Sequence, residues 1–200
     1  MKYFVGLVLP DAFSLTLQNF CRRWPNNRHP EHVPPHITLK APPGIGPNPD
    51  AWLERLRAVC AHTTPVPVSV GEARWFRRDV LYLSVDRAAV LPLHRCILYA
   101  FGEEAATLTE GEAYTPHVTI GMRSFGMSRD ELEEMYAQVP SALATSAPGF
   151  GSTGGACEGE RKDKPYLVFT PAFVRVFGAQ GASMPWLPVA DVALAPSDSR

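Results

Sequence analysis

Two short stretches of the chain share one order of residues: "PPHITLKAPP", residues 34–43, and "YTPHVTIGMR", residues 114–123. Each runs proline, histidine, β-branched residue, threonine, and then Leu or Ile. Successive side chains of a β-strand point to opposite faces, so the histidine and threonine share one face and the apolar residues share the other. The pair predicts two strands that are anchored in a core and that present an imidazole and a hydroxyl to one cleft.

The bare pattern of histidine, any residue and threonine also occurs by chance. With six histidines and eleven threonines in 200 residues, about 0.3 accidental matches are expected. A third match, His62 and Thr64 in "AHTTP", follows a predicted helix and has proline after the threonine. It lacks the strand context, so we interpret it as accidental and the matched pair as specific. The candidate catalytic residues are therefore His36, Thr38, His117 and Thr119.

Continuing the alternation along each strand brings cations to the polar face. Lys40 follows Thr38, and Gly121 and Arg123 follow Thr119 if that strand stays regular. A glycine in a strand permits close approach of a ligand. We therefore predict an anionic substrate that contacts Lys40 and Arg123.

Two imidazoles facing each other suit the cleavage of a phosphodiester or cyclic phosphate. One can activate the attacking oxygen while the other protonates the leaving oxygen, because histidine titrates near neutral pH. Threonine hydroxyls can donate to the non-bridging phosphate oxygens. This chemistry requires no metal and no cofactor. His29, His32 and His36 make a poor metal set, since prolines intervene and no carboxylate or cysteine completes it.

Composition sets limits on the class of protein. The net charge of −1 provides no broad basic field for a long nucleic acid, so an RNA substrate would need a local cleft or a short end. Four dispersed cysteines without a C-x-x-C pair argue against a zinc module or a disulfide framework. No apolar run approaches the length of a membrane span, and Pro10 and Asp11 interrupt the N-terminal run too early for a signal peptide. We expect a reduced, cytoplasmic protein without a membrane partner, and a monomer.

Strand and helix patterns are intermixed, with tight turns and without clean β-α-β alternation. This order predicts an α+β fold with antiparallel sheets in a single two-lobed domain, residues 1–200. A helix is predicted from Asp11 towards Trp24, a loop at 26–34, and a long mobile surface loop at 141–164. Asp86 is predicted to cap a helix in which Pro92 favours a later start, and Ser128 with Glu131 forms a capping-box signature.

The remaining histidines and aromatics have plainer interpretations. His29 and His32 lie in the polar loop and read as surface residues, and His94 as structural or exposed. Several aromatics could stack on a nucleobase, although packing in the core is the commoner role of each. These candidates are Tyr3, Phe4, Trp75, Phe76 and Tyr82.

"HITL" and "HVTI" resemble the paired H-x-T/S-x motifs of the two-histidine (2H) phosphoesterase superfamily, and within it the RNA 2',3'-cyclic phosphodiesterases, historically called the 2'-5' RNA ligase family. "YFVGLVLP", "RWFRRDVLYLSVD" and the closing "FVRVFGAQGASMPWLPVADVAL" are similar to further strands of that family. The resemblance implies a bilobal, pseudo-twofold fold with flanking helices around a central cleft. It also implies metal-independent hydrolysis of a 2',3'-cyclic phosphate to a 2'-phosphomonoester, with His36 as proton donor and His117 as acceptor.

Two other functions remain open at this point. One is ATP-independent 2'-5' ligation of RNA ends as the main role, and the other is a non-catalytic module that binds a nucleotide or RNA. The chain departs from the family pattern in "KAPPGIG" after the first motif and in the long segment 141–164. These departures bear on the substrate, which could be an RNA end or a small cyclic nucleotide, more than on the catalytic pair.

Overall fold

Eight strands and five helices follow one another in the computed structural model, which describes residues 1–102, 106–144, 164–181 and 184–196. The strands are β1 (Lys2–Val8), β2 (His36–Lys40), β3 (Val68–Phe76), β4 (Val80–Val85), β5 (His117–Met122), β6 (Leu167–Phe169), β7 (Phe173–Ala179) and β8 (Leu187–Ala193). The helices are α1 (Asp11–Cys21), α2 (His29–His32), α3 (Leu53–Ala61), α4 (Arg87–Phe101) and α5 (Arg129–Leu143).

The strands form two four-stranded antiparallel sheets of equivalent order. The first sheet runs β2-β1-β7-β8 and the second runs β5-β4-β3-β6. Each predicted histidine strand is the edge strand of its sheet, and each is reached from its neighbour through helical segments, as β1-α1-α2-β2 and β4-α4-β5. The predicted α+β fold with two antiparallel sheets is therefore confirmed, including its internal repeat.

The helices cross between the two halves. α1 follows β1 of the first sheet but packs beside β5 and α5, whereas α4 follows β4 of the second sheet but packs beside β2 and α3. Each histidine strand is thus backed by a helix from the other half of the repeat. One continuous apolar core results, including Leu17 of α1, Ile37 of β2, Ile97 of α4 and Val118 of β5.

A β-bulge interrupts each histidine strand directly after its threonine. Thr38 and Lys40 pair with the consecutive residues Gly6 and Val5, so Leu39 is an extra residue in β2. In the same way Thr119 and Gly121 pair with Tyr82 and Leu81, which makes Ile120 the extra residue of β5. A bulge changes which face the following residues occupy. The bulges therefore end the polar face at the threonines.

Several helix boundaries follow the predicted signals. Asp86 caps α4 by accepting from the Ala88 amide at 2.9 Å, and the capping box of Ser128 and Glu131 at the start of α5 is complete. α1 ends at Cys21, before Trp24. α4 begins at Arg87 and contains Pro92 in its interior, so the predicted later start is wrong.

Two predicted loops differ from the structure. Residues 26–34 contain the one-turn helix α2, with Pro30 in its first turn, where a missing amide hydrogen costs no helical bond. The predicted loop 141–164 begins inside α5, which continues to Leu143, and residues 145–163 lie outside the described part of the chain. Pro171 separates β6 from β7, which belong to different sheets.

No helix in the described ranges is long and apolar enough to cross a membrane. Among the same residues, no group of three or more His, Cys, Asp or Glu side chains is arranged to hold a metal ion.

The bulge in β5 generates a test of packing. Gly121 is turned towards the core, where an added Cβ would lie 2.7 Å from Met127 Sδ and 2.9 Å from Leu132 Cδ2. We expect Gly121→Ala to lower the free energy of unfolding by about 1–3 kcal/mol, because the core is already filled there.

Gly46→Ala is the matched control, since its added Cβ would make an ordinary van der Waals contact with Trp52, at 3.9 Å. Denaturant unfolding of both variants measures the difference. Equal stability of the two variants would contradict the inward placement of Gly121.

Candidate active site

The first motif holds its imidazole by both nitrogens. His36 Nδ1 lies 2.9 Å from the Pro34 carbonyl, which can only accept, so Nδ1 carries the hydrogen. The neutral ring then has its lone pair on Nε2, which lies 3.1 Å from the hydroxyl of Thr38 and accepts its hydrogen. The shared strand face predicted for His36 and Thr38 thus places them in direct contact.

The second motif repeats the first hydrogen bond. His117 Nδ1 donates to the carbonyl of Thr115 at 2.7 Å, again two residues before the histidine. Its Nε2 accepts no hydrogen bond from the residues that the structure describes. Both backbone carbonyls select the same tautomer and leave Nε2 as the proton-accepting atom. The two strands β2 and β5 lie against each other, and the charge of His117 affects the pKa of His36, so the two imidazoles lie near each other.

Aromatic rings surround each imidazole. The His36 ring lies 4.7 Å from that of Phe4 and 5.9 Å from that of Phe177. The His117 ring meets Phe76 and Tyr82 at 4.9 and 5.3 Å. Of the five aromatics proposed to stack on a base, Phe4, Phe76 and Tyr82 line the histidines. The other two pack away from the site, Tyr3 on Trp52 and Trp75 on Tyr136.

This burial disfavours the protonated rings. Desolvation lowers the pKa of His36 from 6.5 to about 4; the Pro34 carbonyl opposes this change and the charge of His117 adds to it. Burial also lowers the pKa of His117, against the effect of the Thr115 carbonyl. Both imidazoles are therefore mainly neutral in the unliganded protein at neutral pH, and an anion bound between them would favour the protonated form of either.

A third histidine lies near the pair, contrary to the prediction of a surface residue. His29 on α2 is buried, which lowers its pKa to about 3, and the charges of His36, His32 and His117 contribute to the decrease. His29 and His32 both contact the ring of Phe125, at 5.4 and 5.0 Å. Their spacing of one helical turn around Pro30 is the sequence signal that could have placed both on one face.

Lys40 is not on the face of His36 and Thr38, and the prediction that placed it there is wrong. The bulge at Leu39 turns Lys40 inward, where its side chain is fully buried and pairs with Glu110 at 3.2 Å. Its ammonium also donates to the carbonyls of Ala41 and Pro43. Burial lowers the pKa of Lys40, and the charge of Glu110 opposes this change. The Lys40 ammonium is therefore bound by groups inside the protein and does not face the motif residues.

Arg123 also lies away from its predicted position. β5 ends at Met122, and Arg123 begins a 3-10 turn instead of continuing the strand. Its Nη1 bonds to Asp79 Oδ1 at 3.2 Å, at the turn between β3 and β4. The prediction assumed an unbroken alternation after Thr119, which the bulge at Ile120 removes.

A pair of arginines that sequence reasoning missed lies on the sheet faces that carry the two motifs. Arg175 of β7 pairs across the strands with Gly6, which pairs with Thr38. Arg74 of β3 likewise pairs with Tyr82, the partner of Thr119. Directly paired residues share a sheet face, so each arginine lies on the same face as a motif threonine. The signal in the sequence is a repeated R-x-F, in "RWF" (74–76) and "RVF" (175–177).

Both arginines have an acidic neighbour. Arg175 donates to the two carboxylate oxygens of Asp191 at 2.6 Å each, and Arg74 donates to Glu72 at 2.8 Å. Only Gly6 separates Arg175 from Thr38 along the row of paired residues, whereas the ring of Tyr82 occupies the equivalent place beside Arg74. No side chain therefore stands between Arg175 and Thr38 in this row, whereas the Tyr82 ring stands between Arg74 and Thr119.

Comparison with known proteins agrees with this geometry. The sequence matches the 2'-5' RNA ligase superfamily over residues 10–146, more than half of the chain. It is 32% identical over 149 residues to a protein of Geobacillus thermodenitrificans named "Putative phosphoesterase", covering 70% of this chain and 78% of that protein. A protein of Geobacillus kaustophilus with the same description is 29% identical over 160 residues, covering 76% and 83%.

Solved structures share the fold at low sequence identity. The protein TT0787 of Thermus thermophilus has a TM-score of 0.58 at 15% identity, with 97% of this chain and 98% of that chain covered. E. coli LigT, in its structure with 3'-AMP, has a TM-score of 0.56 at 15% identity, with 98% of both chains covered. Together with the two matched motifs, the sequence match identifies the chain: it belongs to the 2'-5' RNA ligase superfamily of two-histidine phosphoesterases.

Proposed function

We propose that the protein hydrolyses a terminal 2',3'-cyclic phosphate of RNA or of a nucleotide to a 2'-phosphomonoester. One observation carries the proposal: two imidazoles on adjoining strands are held in the same tautomer by equivalent carbonyls, 2.9 and 2.7 Å away. In each tautomer Nε2 is the atom that can exchange a proton, and general acid–base catalysis requires one such atom on either side of the phosphorus. The bound 3'-AMP of E. coli LigT supports a nucleotide ligand.

In this reaction His117 Nε2 takes a proton from water as the water oxygen attacks phosphorus. The bond from phosphorus to the 3' oxygen breaks, and protonated His36 Nε2 supplies the proton to that oxygen, the assignment of donor and acceptor that the family resemblance implies. The hydroxyls of Thr38 and Thr119 donate to the non-bridging oxygens, where charge accumulates. One water is added across the bond from phosphorus to the 3' oxygen. His117 gains one proton and His36 loses one, so the proton count of the site is unchanged.

Arg175 is the cation that we place on the phosphate, in the role first assigned to Lys40 and Arg123. It shares the sheet face of Thr38, with only Gly6 between them. A guanidinium has five donors in a planar fork, so Arg175 can turn part of its fork to a phosphate while keeping contact with Asp191.

The first test is turnover of 2',3'-cyclic nucleotides and of RNA with a cyclic-phosphate end in the presence of EDTA. We expect hydrolysis by the parent protein, and a kcat lower by about 10²- to 10⁴-fold in His36→Ala and His117→Ala, because each removes one proton-transfer group. Chromatography against 2'- and 3'-phosphate standards identifies the product.

His62→Ala is the matched control, since His62 belongs to the accidental motif and is exposed at the end of α3. It should retain full activity. Full activity in either motif variant would contradict the mechanism. Joining of RNA halves with cyclic-phosphate and 5'-hydroxyl ends would assign the ligase function, and tight binding of a cyclic nucleotide without turnover would assign the binding module.

The pKa values predict an acidic optimum for kcat/KM. A bell-shaped profile reports the two histidines of the free protein, and the pKa of each is below 6.5. The rate should rise with pH as the base loses its proton and fall again as the acid does, so the maximum lies below pH 6.5. Initial rates across the pH range at low substrate concentration measure it. A maximum above about pH 7 would be inconsistent with the neutral imidazoles.

The arginine assignment predicts a separate effect on binding. Arg175→Gln should raise KM roughly tenfold and change kcat by less than about twofold, because a charge-assisted hydrogen bond to the phosphate is lost in both ground and transition states. Arg57→Gln provides the control, as Arg57 is an exposed residue of α3 that contacts Glu54 at a long 3.9 Å. An unchanged KM in Arg175→Gln would remove Arg175 from the site.

A further inference from the structure

The two bulges are each held from behind by a buried polar side chain. In β2, His94 of α4 donates from Nδ1 to the carbonyl of Leu39, the extra residue, at 2.6 Å. In β5, Asn27 donates from Nδ2 to the carbonyl of Ile120, the extra residue there, at 2.8 Å. His94 is fully buried and Asn27 is 5% exposed. Both contacts result from the crossed packing of the helices. His94 lies on α4, which packs beside β2, and Asn27 follows α1, which packs beside β5.

The tautomer of His94 is fixed by its second contact. Its Nε2 accepts a hydrogen bond from the amide of Gly111 at 2.9 Å, so the ring is neutral with its hydrogen on Nδ1. A protonated ring would direct a second N–H at that amide. Burial lowers the pKa of His94, in agreement with a neutral ring.

Tyr114 connects the two motifs. Its hydroxyl donates to the carbonyl of Thr38 at 2.6 Å, and its ring stacks on His94 at 3.7 Å between centroids. The next residue, Thr115, supplies the carbonyl that holds His117. The backbone at Tyr114 is itself fixed by Arg87, whose Nε donates to the Tyr114 carbonyl at 2.9 Å. One short segment therefore touches the threonine of the first motif and the histidine of the second.

The buried ion pair of Lys40 and Glu110 also connects the two motifs. Glu110 accepts from the amides of Ala41 and Thr107 at 2.7 and 2.8 Å, and from Lys40 at 3.2 Å. Burial alone would raise the pKa of Glu110, but these amide donors and the charge of Lys40 together lower it. The chain after β2 is thereby fastened to the loop before β5. In the first half of the repeat, Val33 occupies the position equivalent to Tyr114, three residues before the histidine. Val33 has no hydroxyl and packs in an apolar cluster with Phe4.

We propose that Tyr114, His94 and Asn27 are positioning residues of the active site. They fix the carbonyls at the two bulges and so set the threonines and histidines of both motifs relative to each other. Tyr114 and His94 act on the first motif, Asn27 acts on the second, and the segment carrying Tyr114 sets the spacing between them. This inference rests on the proposed function for its effect on rate, but the geometry that it describes can be measured without turnover.

Tyr114→Phe is the decisive variant, because it removes one hydroxyl and keeps the stacked ring. We expect kcat on 2',3'-cyclic AMP to fall roughly tenfold with KM within about twofold, since misplaced groups affect the transition state most. The pKa of His36 measured by NMR should rise from about 4, because a displaced Thr38 hydroxyl no longer donates to the neutral ring. Tyr99→Phe is the matched control, since Tyr99 is 79% exposed on α4, and it should change neither quantity.

His94→Leu and Asn27→Leu test the division between the motifs. His94→Leu should shift the titration of His36 and leave that of His117 unchanged, and Asn27→Leu should do the reverse. If either variant does not fold, as shown by circular dichroism, Tyr114→Phe alone decides the proposal.

The outcomes separate this inference from the proposed function. An inactive parent protein would refute the proposed function, while the NMR titrations would still test the positioning. A changed His36 titration in Tyr114→Phe supports the positioning role. An unchanged titration and pH–rate profile in Tyr114→Phe would overturn it, even if kcat or the unfolding temperature fell, because a merely structural role predicts that pattern.

Discussion

The bulge after each motif threonine is the constraint on which the site depends. Regular alternation would place Lys40 and Gly121 after the threonines on the face that carries the histidines. One extra residue at Leu39 and another at Ile120 change this in both sheets. The polar face consequently ends at the threonine. Lys40 and Gly121, which stand at equivalent positions, both turn inward.

What fills the inward position differs between the two halves. In β5 a glycine fits against Met127 and Leu132. In β2 a lysine is fully buried beside Glu110, and a buried charge of this kind is tolerated only with a partner and further hydrogen bonds. The repeat is therefore symmetric in backbone and asymmetric in chemistry. The asymmetry continues in Tyr114, which has a hydroxyl where its equivalent Val33 has none.

Burial controls the protonation state of the two motif histidines. No carboxylate stands behind either imidazole in the described part of the chain; each Nδ1 donates to a backbone carbonyl, and aromatic rings pack against the imidazoles. A carbonyl fixes the tautomer without supplying a full negative charge, so desolvation prevails and the pKa of each ring is lowered. An anion bound beside either ring would oppose this effect and favour its protonated form.

The sequence by itself determined the fold class, the two histidine strands and the shared face of each histidine and threonine, because these depend on local alternation and on flanking residues that the accidental motif at His62 lacks. It also determined the caps at Asp86 and Ser128, which are local hydrogen bonds. The environments of Lys40, Arg123, His29 and Arg175 were decided only by the tertiary structure. Bulges, crossed helices and cross-strand neighbours depend on contacts between residues far apart in the chain, and alternation along one strand carries no information about them.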